Sequence, residues 1–299
     1  MKMKVTSLLI SFALCVGLCT PAFAAFQVDT CAMTKAQFAE YCHSLRNNDT
    51  RSSSLLSTDE AEDLLMKHAM CTNTQTKAQI EKELNASGYF LYKDGTESSP
   101  ISPLSEAADC TISGVIVWYD DNTDTWTMTA GGHWTNLDAI FDDAGFWIFD
   151  VGYTHDIGGY DAVGIVIQNT EGKTPSLLSS HAEIYDGDDT TVTLKNPSTY
   201  DTGKGIAFEY QDYITVTKNT GITTYDFNYY GYGYSAIMRF DSSFRDWSGT
   251  ARGFYTHTWS DTTINSIGFN VGAANFGLDI SWSENKNKFL AFSNMDTQF

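Results

Sequence analysis

Residues 205–240 read GIAFEYQDYITVTKNTGITTYDFNYYGYGYSAIMRF, and this stretch decides the fold. Ile206, Phe208, Tyr210, Ile214 and Val216 occupy every second position, broken only by Asp212. Side chains alternate across a strand, so one face of this segment is apolar. Lys218-Asn219-Thr220-Gly221 supplies a turn and a tyrosine- and glycine-rich strand returns, which predicts a β-hairpin. In the return, aromatic residues hold odd positions up to Tyr229 and even positions from Tyr230. A change of phase of this kind predicts a bulge or tight bend near Tyr229.

Working outward, strand signals recur from Thr111 to the C-terminus. Ile112–Tyr119 is apolar on both faces, as a covered strand must be, and Trp126, Met128 and Ala130 alternate with threonines after a turn at Asp120–Asp124. Further strands are expected at 146–153, 162–168, 181–185, 191–195, 252–259, 264–271 and 276–282, with a short segment at 289–292 and a brief helix at Asn136–Ala144. Short strands without long intervening helices predict antiparallel sheets in a β-sandwich or flattened barrel over residues 111–299. The class is mainly β, with a small helical segment at residues 25–92 and a Pro/Ser-containing linker at 93–110. Capping-box pairs Thr34/Gln37, Ser57/Glu60 and Thr76/Gln79 open three short amphipathic helices in that segment.

Residues 1–24 have the form of a secretory signal: Lys2 and Lys4, an apolar run from Leu8 to Leu18, then Ala22-Phe23-Ala24. Export is therefore expected, with no transmembrane segment in the mature chain. The formal net charge of −19 becomes more negative once the two leader lysines are removed. Such a surface repels phosphate backbones and excludes nucleic acid as a partner. Cys31, Cys42, Cys71 and Cys110 remain after processing; an even number in an exported chain predicts two disulfides, with three pairings open.

Catalytic signatures are sparse. There is no G-x-S-x-G elbow and no H-E-x-x-H pair. Glu209, Asp226 and His257 are the residues that a secreted hydrolase would use, although Glu209 and Asp212 differ by an odd number and point to opposite faces. Tyr255, His257 and Trp259 share one strand face. Asp120, Asn122 and Asp124 begin a calcium loop of D-x-N-x-D form, but Thr125 stands where the loop needs glycine, and Asp186 and Asp188 sit in a second acidic turn. Apart from such a Ca²⁺ site no cofactor is implied. The aromatic return strand supports recognition of an extracellular glycan or protein, with Tyr229, Tyr230, Tyr232, Tyr234 and Trp259 as the binding residues. A non-catalytic binding protein is the leading expectation and a hydrolase the alternative. A pore-forming toxin is a third, because the hairpin is long enough for a barrel strand pair, but Glu209, Asp212 and Asp226 leave neither face cleanly lipid-compatible.

Three segments, GTARGFYTHTWSDTTINSIGFNVGAANFGLDISWSENKNKF at 249–289, GGYDAVGIVIQN at 158–169 and GKGIAFEYQD at 203–212, resemble uncharacterised secreted proteins of Gram-positive bacteria. The resemblance covers most of the β part and implies export from a Gram-positive cell. It carries no activity and no catalytic residue onto these positions.

Overall fold

The computed structural model of the chain describes residues 30, 33–48, 56–93, 109–144, 152–186, 190–218, 225–272 and 275–299. Three helices come first: α1 (Lys35–Asn48), α2 (Thr58–Met70) and α3 (Thr74–Ala86). The first two capping boxes form, with Gln37 N–H donating to Thr34 Oγ1 at 3.3 Å and Glu60 N–H to Ser57 Oγ at 3.3 Å. The third helix departs from expectation. Its cap is Asn73, whose Oδ1 accepts from the N–H groups of both Gln75 and Thr76. One side-chain oxygen satisfies two orphan donors of the first turn, so the helix starts ahead of Thr76.

The helical segment also ends before residue 92, because Tyr89–Tyr92 forms β1 and pairs with β2 (Ile116–Asp120). The chain continues through β3 (Thr125–His133), α4 (Leu137–Ala144), β4 (Thr154–Glu171), β5 (Leu177–Tyr185), β6 (Thr191–Leu194) and β7 (Thr199–Asp201). Then come β8 (Gly205–Lys218), β9 (Tyr225–Tyr230), β10 (Gly233–Phe240), β11 (Ser248–Thr258), β12 (Ile264–Gly272), β13 (Asn275–Trp282), β14 (Lys288–Phe292) and β15 (Thr297–Gln298). The strand expected at 146–153 falls largely outside the described residues.

These strands build two antiparallel sheets that do not close into a barrel. The first has the order β1-β2-β3-β10-β5-β6; the second runs β14-β11-β4-β8-β7, with β9 paired to β8 and β15 to β11. Their facing sides share one core: Trp126, Met128, Ala236, Met238 and Phe240 from the first, Val163, Ile165, Ile206, Phe208 and Tyr255 from the second. The outer side of the first sheet is covered by helices, where Ala61, Leu65 and Leu84 pack on Trp118 and Ile237. The outer side of the second is covered by the β12–β13 hairpin, where Ile264 and Ile267 pack on Ala162, Ala207 and Phe254. This layering explains why the β2 and β4 segments are apolar on both faces.

The phase switch in the return strand is a change of sheet. β9 pairs with β8, with Tyr230 opposite Tyr213, whereas β10 pairs with β3 and β5 across the sandwich. Gly231 turns the chain with φ +117, and a Cβ there would lie 2.9 Å from Tyr229 Oη and 3.1 Å from Asp212 Cβ. Only glycine adopts this turn without strain.

The expectation of two disulfides needs correction. No disulfide joins Cys42, Cys71 and Cys110 among the described residues, and Cys31 lies outside them. The three sit on different elements: Cys42 on α1 in the inter-sheet core, Cys71 at the end of α2, and Cys110 in a bridge to Trp134. Disulfide geometry requires the two Cβ atoms to face each other at short range, and these placements do not provide it.

Candidate functional site

Asp212 breaks an otherwise apolar alternation, and the structure shows what it does. It projects with Phe208, Tyr210 and Ile214 into the core and is fully buried. Two strands away in the same sheet, β11 turns Tyr255 and His257 inward; between them β4 turns Asp161 inward, in phase with Val163 and Ile165. Asp161, Asp212 and His257 meet as a fully buried cluster. Opposite Asp212 the register of β4 shifts between Asp156 and Tyr160, and Gln211 Nε2 donates to the Gly159 carbonyl at 3.1 Å. This bulge lets Asp212 turn inward without a ladder partner.

Hydrogen bonds orient the cluster. His257 Nδ1 lies 2.9 Å from Asp161 Oδ2 and 3.7 Å from Asp212 Oδ2. Tyr255 donates to Asp161 Oδ2 at 2.6 Å, Thr258 N–H to Asp161 Oδ1 at 2.9 Å, and Tyr229 to Asp212 Oδ2 at 2.9 Å. Trp134 packs edge-on against the imidazole, with centroids 4.9 Å apart. Burial, and then the neighbouring Asp161 carboxylate, push the Asp212 carboxyl far above the usual range. Burial likewise raises the hydroxyls of Tyr210, Tyr229, Tyr234 and Tyr255.

Of the expected hydrolase residues, His257 and Glu209 do not come together. His257 is sealed in the core, Glu209 is half-buried on the other face of β8, and Asp226, opposite Thr217 in β9, has its side chain outside the described residues. The aromatic strand is mostly interior. Tyr229, Tyr230 and Tyr234 are buried, Tyr234 stacking on Tyr255 at 3.9 Å, so they do not form the open surface expected of them. A sheet switch places consecutive aromatic residues between two sheets, where each buries apolar area. Trp259 is half-buried and stacks on the His257 ring.

Tyr232 differs, because it sits at the crossing itself. Half-buried, it lines a cleft of about 280 Å³ on the outer side of the first sheet, with His133, Tyr185, Met70, Asn73 and Asp186. Its ring lies 6.0 Å from that of His133. Sequence reasoning missed His133 and Tyr185 as partners of Tyr232, since strand pairing, not spacing, brings them together.

A second cleft of about 370 Å³ opens beside α2 and holds Glu62, His181 and Glu183. Burial raises both carboxyls and lowers His181, while Arg239 opposes the shift at Glu62. Glu183 accepts a hydrogen bond from Tyr185.

The expected calcium loop is an arginine-braced turn. Asp120 Oδ1 accepts from Asn122 N–H at 2.9 Å, and its Oδ2 faces Thr123 and Arg239. Both oxygens of Asp124 accept from Arg245, at 2.5 and 2.6 Å. These carboxylates turn toward arginine rather than toward a common centre, which corrects the reading of Asp120, Asn122 and Asp124 as cation ligands. Asp186 accepts from Thr190 N–H and Asn228, and Asp188 lies outside the described residues.

No helix among the described residues is long and apolar enough to cross a membrane. Comparison with protein-family models and with curated proteins finds no match for this chain. The fold and these three constellations are therefore the basis for function.

Proposed function

We propose that this is an exported, non-catalytic binding protein that recognises the end of a glycan in the Tyr232 cleft. The observation that carries the reading is the position of Tyr232: it is half-buried and lines a cleft, whereas Tyr229, Tyr230 and Tyr234 are buried. A half-buried tyrosine offers a sugar ring an apolar face to stack on, and Asn73, Lys67 and Asp186 around the rim supply donors and acceptors for its hydroxyls. A volume of about 280 Å³ lies just below the usual range of ligand pockets, roughly 300–1,000 Å³, and suits a single terminal sugar unit. Glycan-array screening of the mature chain, followed by calorimetry with Tyr232→Ala, tests this. Specific binding reduced at least tenfold by the substitution supports the reading; absence of any glycan ligand, or full retention of binding in the variant, overturns it.

A hydrolase is the second reading, favoured by one observation: Glu62 and Glu183 share a cleft, and burial raises both. Raising a carboxyl in this way is the direction in which a general acid is tuned. Loss of polysaccharide cleavage in Glu183→Gln with folding intact would support it, and the absence of cleavage by the wild-type chain would remove it.

A further inference from the structure

The Asp161–Asp212–His257 cluster has a composition that hydrogen bonding alone leaves unresolved. Two carboxylates are fully buried in the sandwich core, and His257 is the one cationic group that lowers the Asp212 carboxyl. One imidazole can balance only one of the two carboxylates, so without a further cation Asp212 holds its proton, as the raised carboxyl indicates. One polar atom adds an independent observation. Asp212 Oδ1 has no hydrogen-bond partner among the described residues. Tyr210, on the neighbouring inward position of β8, is buried close to both carboxylates and shares a hydrogen bond with Tyr255. A buried carboxyl oxygen left open beside a second carboxyl and an imidazole marks a place for a further positive centre.

We propose that Asp161, Asp212 and His257 bind a single first-row divalent cation, Zn²⁺ by donor type, as a structural clasp across β11, β4 and β8. The three donor atoms lie within 4.8 Å of one another. Nδ1 is 2.9 Å from one carboxylate and 3.7 Å from the other, bracketing the roughly 3.3 Å between ligand atoms on a tetrahedral ion with bonds of about 2.0–2.1 Å. An imidazole with two carboxylates suits Zn²⁺, Mn²⁺ or Fe²⁺, whereas Ca²⁺ takes six to eight oxygens. Tyr255 and Thr258 hold Asp161, and Tyr229 holds Asp212 by Oδ2 while Oδ1 stays open; such outer hydrogen bonds orient the ligands of bound metals. Binding displaces the proton held by the Asp212 carboxyl and any proton on Nδ1, and both leave to solvent. No cleft described above is lined by these residues, so the role is structural.

The test uses the full mature chain, purified without chelators. Elemental analysis should find about one equivalent of Zn²⁺ per chain. Chelation should lower the melting temperature by several degrees, and added Zn²⁺ should restore it. Asp212→Asn should lose the metal. Should that variant fail to fold, Co²⁺ substitution of the wild-type chain keeps the idea testable: the expected spectrum has tetrahedral d–d bands and no thiolate charge-transfer band. Three results would overturn the proposal: a metal-free chain whose melting is indifferent to Zn²⁺ and Mn²⁺, metal retained in a folded Asp212→Asn, or a thiolate band showing that cysteine is the ligand. None depends on glycan binding at Tyr232, which is a separate site.

Discussion

Gly231 and Asp212 show how much a single position carries. The turn at Gly231 occupies a region of φ that side chains rarely enter, and a Cβ would press on Tyr229 and Asp212. Gly231→Ala should destabilise by about 1–3 kcal/mol, read as a lower denaturation midpoint. Glu183 has the opposite kind of leverage. Its folded carboxyl is raised above the ordinary value of 4.5, so the folded state holds its proton more tightly than the unfolded chain does. Stability attributable to this residue is therefore greatest below pH 4.5 and falls as pH rises toward the folded value. Glu183→Gln should accordingly raise the melting temperature relative to wild type more at pH 8 than at pH 4. At this scale, Asp212 was legible as a break in alternation. Asp161 carried a signal too, being in phase with Val163, Ile165 and Ile167, but a carboxylate at the start of an apolar run also reads as a strand end.

Among the elements, the third helix separates local pattern from local structure. Thr76/Gln79 satisfies the capping-box pattern, yet Asn73 is the cap because its carbonyl reaches two N–H groups. Asn73→Ala should destabilise by about 1 kcal/mol and Thr76→Ala by much less, a contrast measurable by urea denaturation. Strand existence was legible because period-two alternation is a property of the chain itself. The destination of β10 was not. A bulge and a sheet crossing both change the phase of alternation, and only the partners of Gly233–Phe240, β3 and β5, distinguish them.

Across the whole molecule, the helices and the β part share their burial. Phe38, Ala39 and Cys42 of α1 belong to the inter-sheet core, and Leu65 of α2 packs with Trp118 and Ile237 of the first sheet. Leu65→Ala should destabilise by about 2–5 kcal/mol, and far-UV and near-UV dichroism should shift together, because a shared core melts in one transition. Separate transitions would show instead that the helical layer is an independent unit.

The sequence by itself determined that short helices precede a run of strands, the inward parity of β8 and the mainly β class, because each depends on neighbours a few residues apart; it missed β1, where Tyr89–Tyr92 leaves the helical segment to pair with β2. Tertiary structure alone decided that residues 230–233 cross between sheets, that Tyr232 rather than its neighbours faces a cleft, and that Asp161, Asp212 and His257 meet. Parity states which face a side chain takes. Which strand lies beside it is set by long-range pairing and by the area two sheets bury together, and no local pattern encodes that.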